Sequence, residues 1–529
     1  MKKNLFKISI ILLCFAFLLL ITLCKPDALN TENEEAEEFP DIQMPSEEDS
    51  SISEEMNSIE LIHNPELRIL IMSNDFSSDM HDTVKVTSNK DIIMKGEDGT
   101  VFAEYPAWEM IDLDSFGLKT GESLIFESRG KLSVRSLNRA QGIPEYYGKL
   151  QIYREESGYA IINIVAMEDY LLTVVPSEMP STYPLEALKA QAICARSYAY
   201  HYVINESGLP HDANMNDSTA FQVYNNIQET DNTNQAVKET EGMILTKDGV
   251  PVSTYFFSTS CGFTTNETVW KEYFQGNEYE DGEEPTISYI PGSKSAEPDI
   301  MFAPVAVAQP QAVEAISTDS GLGILYTADA LMQEQNFRAY IQSDTSNFLE
   351  NDEQWYRWNY HGKVSDAEIE NRLKDRYAAR PDLILTYDEK KEKYVNQAIK
   401  TVGDIINIEI VKRLPGGVAD ELLIETTADD YLIIGEYNIR YVLSDGVSEV
   451  TRNDGSKVVV SNLLPSAYFI IEPEMSDSEM WTEISLVGGG YGHGVGMSQN
   501  GAKQAALQGM SCEDILRLFY REFDLVVVK

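Results

Sequence analysis

The chain has 529 residues, 43% of them hydrophobic, which is enough for several globular domains or one elaborated domain. It contains 86 Asp and Glu against 41 Lys and Arg, so its formal net charge is −45 and argues against nucleic acid or an anionic membrane surface as a partner. Binding of any other anionic polymer would depend on hydrogen bonds and on aromatic rings, which 28 Tyr, 19 Phe and 5 Trp supply.

The first 25 residues carry three lysines before an apolar run from Ile8 to Cys24, which is at the short end of what spans a bilayer. Positive charge before the run orients the remaining chain outward. A retained anchor, a cleaved signal peptide and a lipoprotein signal are the alternatives. No A-x-A-like cleavage site follows, and Leu23 does not fit the small residue that lipoprotein processing prefers. We therefore expect residues 1–25 to be a single-pass membrane anchor, with the bulk of the chain extracytoplasmic.

Residues 26–60 are rich in Asp and Glu without Lys or Arg, which predicts a disordered acidic linker. From residue 61 the chain changes to short β-branched and apolar runs separated by turn signals, such as LRILIMS, SLIFESRG and YAIINIV. We predict an α+β fold with a β-rich N-terminal subdomain over 61–145. A mixed α/β core over 146–529 follows, with a variable insertion near 271–400.

The stretch VVPSEMPSTYPLEALKAQAICARSYAYHY places one carboxylate, Glu178, between two prolines. Residues 167–175 before it are typical of a short helix. The prolines disfavour helix for the residues that precede them, so we expect Glu178 on a rigid non-helical turn. Residues 185–202 are good helix formers with small apolar residues at helical spacing, which predicts a buried helix. Poor solvation there would raise the pKa of Glu178 and suit it to general-acid chemistry. The alternative is that it caps the helix or pairs with Arg196.

Beyond the insertion, SDAEIENRLKDRYAAR is typical of an amphipathic helix that opens with the capping residue Ser365. Four further strands are predicted: INIEIVKRL, ELLIETT, YLIIGEYNIRYVL and KVVVSNLL.

The closing stretch, GGGYGHGVGMSQNGAKQAALQGMSCEDILRLFY, concentrates glycines that allow positive φ and close backbone approach. Such a loop is either a tight turn between core strands or a loop that contacts a ligand, and we favour the second. It presents Tyr491, His493 and Gln499. A helix is predicted over 497–507, and a capping box begins the last helix.

PSEMPSTYPLEALKAQAICARSYA and the closing stretch resemble the two signatures of the stage II sporulation protein D family, which includes LytB-type amidase enhancers. They occur in the family's order, and the resemblance covers most of the chain from residue 61. Sporulation members are lytic transglycosylases that cleave peptidoglycan glycan strands. The Glu of their EMP sequence is the catalytic acid and base, which implies that role for Glu178.

The resemblance also implies a substrate groove. YFFSTSCGFT is similar to the family's aromatic-Ser-Gly-Thr loop, whose hydroxyls either bind sugar or satisfy backbone groups. The expected substrate-binding residues are Ser177, Tyr255, Ser258, Ser260, Thr264, Tyr491, His493 and Gln499. We expect His493 and Glu178 to lie within about 10 Å of each other across this groove. In NDEQWYRWNYHGK, the aromatic residues Trp355, Tyr356 and Trp358 form either a sugar-stacking platform or core.

Zinc-binding relatives carry a His and Cys cluster before a Gln-x-Tyr, but HDANMNDSTAFQVY keeps only His211. Cys261 could add one thiolate, yet two ligands make no zinc site, and a buried structural cysteine is favoured. We predict no metal and no cofactor. Cys194, Cys261 and Cys512 could include one disulfide, and their spacing does not show which.

Other chemistries fit less well. GMSQN lacks the final Gly of a serine-hydrolase elbow, and the sequence singles out no second acid for a two-carboxylate glycosidase. The resemblance implies cleavage of glycan strands, denuded of stem peptides, to 1,6-anhydro-muramoyl products in spore engulfment or wall remodelling. A non-catalytic, wall-binding amidase enhancer is the alternative. Glycan strands and the membrane are the expected partners, other wall hydrolases or membrane proteins of an engulfment-type complex remain open, and nucleic acid is not expected.

Overall fold

The computed structural model describes residues 61–266, 269–270, 326–343, 348–363, 366–460, 462–475 and 481–529. The predicted anchor and linker, much of the predicted insertion and the capping residue Ser365 lie outside these ranges. The described chain forms two compact units, one made of residues 66–177 and 209–228 and the other of 178–208 and 229–529. Within the described ranges, no helix has both the length and the apolar character needed to cross a bilayer.

The first unit consists of two sheets, three short 3-10 helices and one α-helix, α1 (Met167–Glu178), whose last residue begins the second unit. Its strands are β1 (Glu66–Ile71), β2 (Lys85–Ser88), β3 (Ile92–Lys95), β4 (Val101–Tyr105), β5 (Ile111–Asp112), β6 (Ser123–Ser128), β7 (Leu132–Val134), β8 (Glu145–Tyr146), β9 (Lys149–Arg154), β10 (Tyr159–Ala166) and β11 (Met215–Asn216). A seven-stranded sheet has the order β11-β1-β10-β9-β6-β3-β4, and a four-stranded sheet has the order β5-β2-β7-β8.

The predicted boundary at residue 145 does not coincide with the edge of this unit. Strands β9 and β10 follow that residue, yet β9 pairs with β6 and β10 pairs with β1. The unit therefore continues through α1. It also takes back β11, which pairs in parallel with β1 at Ile69 and Met215.

The second unit is mixed α+β. Its helices are α2 (Leu185–Ile204), α3 (Asp231–Glu239), α4 (Glu334–Ile341), α5 (Asp366–Ala379), α6 (Glu436–Val442), α7 (Gln499–Leu507) and α8 (Cys512–Phe519). Its strands are β12 (Met243–Lys247), β13 (Val250–Pro251), β14 (Phe256–Phe257), β15 (Trp358–Lys363), β16 (Ile384–Asp388), β17 (Lys393–Val395), β18 (Ile405–Arg413), β19 (Ala419–Thr426), β20 (Asp430–Ile434), β21 (Glu449–Arg452), β22 (Lys457–Val459), β23 (Phe469–Met475), β24 (Trp481–Gly488), β25 (Met497–Ser498) and β26 (Asp524–Val527).

The described part of this unit contains four sheets. Two are five-stranded, with the orders β22-β21-β15-β24-β23 and β17-β16-β20-β19-β18. A three-stranded sheet has the order β13-β12-β26, and β14 pairs in parallel with β25. The last pairing joins the loop after β14 to the closing glycine stretch, which are far apart in sequence.

Helix α2 is the buried centre of the second unit, as the sequence predicts. It follows Pro184, whose fixed φ suits a helix start, and it contacts α3, α7, α8 and β12. Its small residues Ala192, Ala195 and Ala199 are fully buried. Because small side chains let neighbouring backbones approach closely, this helix can accept partners on several faces at once.

Two predicted elements differ from the structure. YLIIGEYNIRYVL is not one strand, because Gly435 has φ +92° and ends β20, after which α6 forms with a buried ion pair of 2.9 Å between Glu436 and Arg440 one turn apart. Helix α7 begins at Gln499, not at 497, because Met497 and Ser498 pair with β14. The capping box before α8 is confirmed.

Candidate functional site

Glu178 is the last residue of a helix, so the predicted non-helical turn is wrong. Pro176 lies inside α1, where it cannot donate a backbone hydrogen bond. Its neighbours Val174 and Val175 are fully buried, and that burial outweighs the local preference of a residue before proline. Pro180 follows the helix end and prevents its continuation. The Glu178 carboxylate therefore lies on the final turn of α1, two residues after Pro176.

The hydroxyl of Ser177 is engaged within the first unit. Its Oγ donates to the carbonyl of Thr173 at 2.6 Å and accepts from the backbone N–H of Asn226 and of Ile227, both at 3.1 Å. These bonds tie the end of α1 to the segment that follows β11. They give Ser177 a positioning role, and its predicted contact with substrate stays a prediction.

Gln499, the first residue of α7, holds the backbone at Glu178. Its Nε2 donates to the carbonyl of Glu178 at 3.0 Å and lies 3.4 Å from Oε1 of Gln191, a fully buried residue of α2. The last carbonyls of a helix have no partner within the helix, so this side-chain amide satisfies one of them. Glu178 itself is half-buried. The two signature stretches thus meet at Glu178.

Asn500, the second residue of α7, joins two further segments. Its Oδ1 accepts a short hydrogen bond from the hydroxyl of Tyr183, and its Nδ2 donates to Oγ1 of Thr259 at 2.9 Å. Its backbone N–H donates to the carbonyl of Ser258 at 2.9 Å. The start of α7 therefore fixes the loop after Glu178 and the loop after β14 together.

The hydroxyl-rich loop after β14 is mostly turned inward. Ser260 and Thr264 are each 1% exposed, and Oγ of Ser260 accepts from the N–H of Gly262 at 3.1 Å. This is the backbone-satisfying alternative for Ser260. Ser258 is half-buried, with its Oγ 3.2 Å from that of Thr259. Of these predicted sugar donors, Ser258 is the most accessible.

Tyr255 is half-buried beside the same loop. Its ring lies 4.3 Å from that of Trp270, centroid to centroid, and its carbonyl accepts from the hydroxyl of Tyr520 at 2.7 Å. The backbone N–H of Met497 donates to the same carbonyl at 3.0 Å. Its backbone is therefore fixed by the C-terminal segments, and its role with substrate stays a prediction.

Glu350 is a buried acid that the sequence analysis missed. It accepts hydrogen bonds from the N–H of Ser260 at 3.0 Å, from the hydroxyl of Ser260 and from the hydroxyl of Ser498 at 2.6 Å. Ser498 is the N-cap of α7. Burial raises the pKa of Glu350 to about 7, and the serine hydrogen bonds only partly oppose that rise. The residue links the loop after β14 to the start of α7. It lies in an acidic stretch, where no pattern distinguishes it.

The closing glycines are required by the protein's own packing. A Cβ on Gly488 would lie 2.4 Å from the ring of Trp358, and one on Gly496, whose φ is +74°, would lie 2.0 Å from the carbonyl oxygen of Tyr255. Both neighbours belong to this chain, so these two positions need no ligand to explain them. The sequence predicts a loop shaped to contact a ligand. At these two positions the loop instead packs against side-chain and backbone atoms of the protein itself.

His493 is held through both ring nitrogens. A carbonyl can only accept, so Nε2 carries the proton that it donates to the carbonyl of Phe256 at 3.1 Å, while Nδ1 accepts from the N–H of Val495 at 3.1 Å. Burial, reinforced by the charge of Arg440, lowers the pKa of the imidazole to about 4. The ring is therefore neutral and fixes the glycine loop to β14. A direct sugar contact and its approach to Glu178 stay predictions.

Tyr491 is the exposed aromatic side chain of the closing loop, at 39% exposure. Its ring lies 4.7 Å from that of Trp355, centroid to centroid, and Trp355 is half-buried. Tyr356 and Trp358, in contrast, are 2% and 0% exposed and form core. The predicted aromatic platform is therefore reduced to Trp355, with Tyr491 as its neighbour.

Comparison with known proteins assigns the segment around Glu178 to a known family. A family model described as stage II sporulation protein matches residues 155–246, which contain Glu178 and all of α2. Over 121 residues, 20% of this chain, the sequence is 36% identical to stage II sporulation protein D of Bacillus subtilis. Residues 155–246 are therefore a segment of the stage II sporulation protein type.

Other relatives extend the match. An uncharacterized protein of Brachyspira hyodysenteriae is 34% identical over 30% of this chain, and the amidase enhancer of Bacillus subtilis is 23% identical over 66% of it. The alignments cover 42% and 39% of those two proteins and 35% of the Bacillus subtilis stage II sporulation protein D, about two fifths of each relative's length. A model described as a domain of unknown function (DUF8618) matches residues 313–496, including Glu350 and most of the closing loop.

The two residues considered as zinc ligands have other contacts. His211 belongs to the first unit, where its Nε2 lies 3.3 Å from the carboxylate of Glu155 and its ring stacks on Tyr153. Cys261 belongs to the second unit, and burial raises the pKa of its thiol to about 11. Among the described residues no cluster of His, Cys, Asp and Glu could hold a metal, and Cys194, Cys261 and Cys512 are free thiols.

In the first unit, an ion pair anchors the stretch in which the sequence analysis sought zinc ligands. Nη2 of Arg139 donates to Oδ2 of Asp217 and to the carbonyl of Met72, both at 2.6 Å, while Oδ1 of Asp217 accepts from the N–H of Met72 at 2.8 Å. Both charged side chains are buried. Residues 209–228 are therefore tied to the residue after β1 and to Arg139 by buried hydrogen bonds and an ion pair.

Proposed function

We propose that this protein is a lytic transglycosylase that cleaves peptidoglycan glycan strands, chiefly strands denuded of stem peptides, to 1,6-anhydro-muramoyl products. The observation that carries the proposal is the arrangement at Glu178. Glu178 is half-buried and is the last residue of α1, a helix that contains Pro176 and lies inside the family-matched segment. The side-chain amide of Gln499, from the closing stretch, donates a hydrogen bond to the backbone carbonyl of Glu178. A carboxylate fixed in this way suits positioned proton transfer, which contributes about 10²- to 10⁴-fold to rates.

One carboxyl group can serve both halves of this reaction. Glu178 gives its proton to the glycosidic oxygen as the bond from that oxygen to the muramoyl C1 breaks. The resulting carboxylate stabilises the oxocarbenium-like sugar. The 6-hydroxyl of the same muramoyl residue then bonds to C1, and its proton returns to Glu178. No water is consumed, and the attacking hydroxyl is intramolecular, so proximity replaces an activated nucleophile.

Glu350 does not fit the part of a second acid in a two-carboxylate mechanism. It is 0% exposed, and both of its oxygens accept hydrogen bonds from serines of this chain. A hydrolytic glycosidase needs two carboxyl groups flanking the bond. Glu350 therefore does not supply the second acid that hydrolysis needs.

A second candidate function is enhancement of a wall amidase without catalysis. The observation in its favour is the long alignment with the Bacillus subtilis amidase enhancer, which covers 66% of this chain. In either case we propose that the protein acts outside the cytoplasm, anchored to the membrane by residues 1–25, in spore engulfment or wall remodelling. Other wall hydrolases and membrane proteins are the partners that this setting offers.

Incubation of the exported part of the chain with purified denuded glycan strands tests the proposal, with 1,6-anhydro ends measured by mass spectrometry. Wild type should produce these ends, and Glu178→Gln should not, although the near-isosteric amide should leave the fold and glycan binding intact. Anhydro ends from the Glu178→Gln variant would remove Glu178 from the acid role. Binding without product, together with stimulation of an amidase, would favour the enhancer.

A further inference from the structure

We propose that Tyr491, Trp355 and Arg452 form a sugar subsite that recognises a muramoyl residue through its ring face and its free lactyl carboxylate. The inference rests on the proposed glycan substrate and adds the chemical feature that this face of the protein selects. It concerns a surface of the second unit beyond the residues that hold Glu178.

The first element is an exposed ring on a rigid backbone. Tyr491 exchanges two backbone hydrogen bonds with Thr259, at 2.8 and 3.2 Å, and the N–H of the preceding Gly490 donates to the carbonyl of Trp355 at 2.8 Å. The side chain is nevertheless 39% exposed. A large aromatic ring held in place but left in solvent offers contact area at little entropic cost.

The second element is the neighbouring indole. The rings of Trp355 and Tyr491 are tilted by 42° with centroids 4.7 Å apart, so together they make a bent aromatic surface rather than a closed stack. The apolar C–H face of a pyranose ring can pack on such a surface, which is also how small-molecule sites commonly use aromatic residues.

The third element is a guanidinium with donor capacity to spare. Arg452 lies over the ring of Trp355 at 5.3 Å, its Nε donates to Oγ of Ser456 at 2.8 Å, and its Nη1 donates to Oε1 of Gln354 at 2.9 Å. Within the described residues Nη2 has no hydrogen-bond acceptor, and the charge of Arg452 contributes to lowering the pKa of the nearby Asp454 carboxylate, after its hydrogen bonds with Ser456. The nearby carboxylate of Asp454 instead accepts from Ser456 and Gln354.

A positioned guanidinium favours a carboxylate, because its planar fork donates charge-assisted hydrogen bonds. In a chain of net charge −45, an arginine whose Nη2 donor is uncommitted among the described residues is well placed to bind an external anion. A denuded muramoyl residue has a free lactyl carboxylate. In a strand that carries stem peptides this group is an amide and has no charge, so Arg452 would distinguish the two.

The subsite is linked to Glu178 through successive contacts. Tyr491 pairs with Thr259, Thr259 accepts from Asn500, and Asn500 follows Gln499, which bonds to the carbonyl of Glu178. One strand could therefore occupy the subsite while another of its glycosidic bonds lies at the carboxyl group.

Calorimetric binding in a Glu178→Gln background tests the subsite without turnover. The probes are a denuded glycan fragment and the same fragment with its lactyl carboxylates converted to methylamides. Arg452→Gln should weaken binding of the carboxylate form by about 10- to 100-fold, and should leave the amide form unchanged. Tyr491→Leu should weaken both forms. Arg517→Gln is the matched control, because Arg517 also lies over a ring, that of Phe523 at 4.9 Å, and should change neither.

Equal binding of the carboxylate form by wild type and Arg452→Gln would overturn the subsite, as would an equal loss for both ligands. The proposed function fails separately. If wild type binds the carboxylate form through Arg452 but releases no anhydro ends, the enzyme proposal falls and the subsite stands. If wild type cleaves strands and Arg452→Gln has unaltered affinity and preference, only the subsite falls.

Discussion

The side-chain amide of Gln499 donates a 3.0 Å hydrogen bond to the backbone carbonyl of Glu178, 321 residues earlier in the chain. The contact joins the family-matched segment around Glu178 to the closing glycine-rich stretch. The bond holds the backbone of Glu178 and does not engage its carboxyl group.

Gln499→Ala should lower kcat for glycan cleavage by about 10- to 100-fold with little change in KM, because the end of α1 loses a bond that positions its carboxyl group. Gln508→Ala, at an exposed position following the same helix, is the control and should behave as wild type. A rise in KM at constant kcat would instead give Gln499 the substrate-binding role suggested by the sequence.

Glu350 should make stability fall as pH rises. Its pKa is about 7 in the folded state and 4.5 ordinarily, so between these values the folded state binds more protons than the unfolded state. The stabilising contribution is present below about pH 4.5 and is lost by pH 7, a change on the order of 3 kcal/mol. Urea unfolding from pH 5 to 8 should show this slope in wild type relative to Glu350→Gln.

The same variant separates this effect from others, because His493 and the remaining groups titrate in both proteins and cancel in the difference. If the free energies of unfolding of wild type and Glu350→Gln differ by the same amount at every pH in this range, Glu350 is not a buried, titrating group. Since Glu350 links Ser260 to the N-cap of α7, we also expect the pH profile of cleavage to change in Glu350→Gln.

His493→Ala should lower the melting temperature markedly. It removes the partners of the Phe256 carbonyl and the Val495 N–H, and each buried group left unsatisfied costs about 1–3 kcal/mol. His361→Ala is the control, since that ring is 55% exposed and should contribute little. Scanning calorimetry measures the two melting temperatures, and equal values for His493→Ala and His361→Ala would contradict the structural role of His493.

The same histidine predicts sensitivity to acid. Its folded-state pKa is lowered to about 4 from 6.5, so the unfolded state binds more protons between these values. The associated stability is present above pH 6.5 and is lost as pH falls toward 4. This loss should be absent from His493→Ala, and an identical acid slope in both proteins would contradict the assignment.

Asp217→Asn should destabilise the first unit by about 3–5 kcal/mol, because the buried guanidinium of Arg139 loses its counter-charge. Lys85→Gln, which breaks an exposed pair with Asp112, should cost about 1 kcal/mol or less.

Treatment of the protein with EDTA should change neither its melting temperature nor its activity. Loss of bound zinc together with fold would show that metal, and not this pair, anchors residues 209–228.

Regular patterns in the sequence predicted regular elements. Strands such as β1 and β10 and the buried helix α2 follow directly from side-chain periodicity and helix-forming composition. The α+β class is confirmed for the described residues. The predicted junction at residue 145 falls inside the first compact unit, because the pairing of β9 with β6 is long-range and no local pattern encodes it.

The site was harder to predict, since its residues were identified by similarity and their orientations by packing. Glu178 was named correctly as the residue to consider, but the burial of Val174 and Val175 made its turn helical. Ser260 and His493 looked available for sugar, yet each satisfies neighbouring groups. Glu350 has no sequence signal, because only the folded chain shows that its carboxyl group meets two serines.

The return of β11 to β1 has a consequence for how this protein is made. The first unit is completed only when residues 209–228 have emerged from the ribosome, after α2 has already been synthesised. A fragment that stops at Ser177 lacks β11 and leaves Arg139 without Asp217. A fragment that continues through residue 228 carries α2 without α7 and α8, which pack on it. Neither fragment is therefore suitable for expression. During synthesis, α2 must stay unaggregated until α7 and α8 have been made and can pack on it.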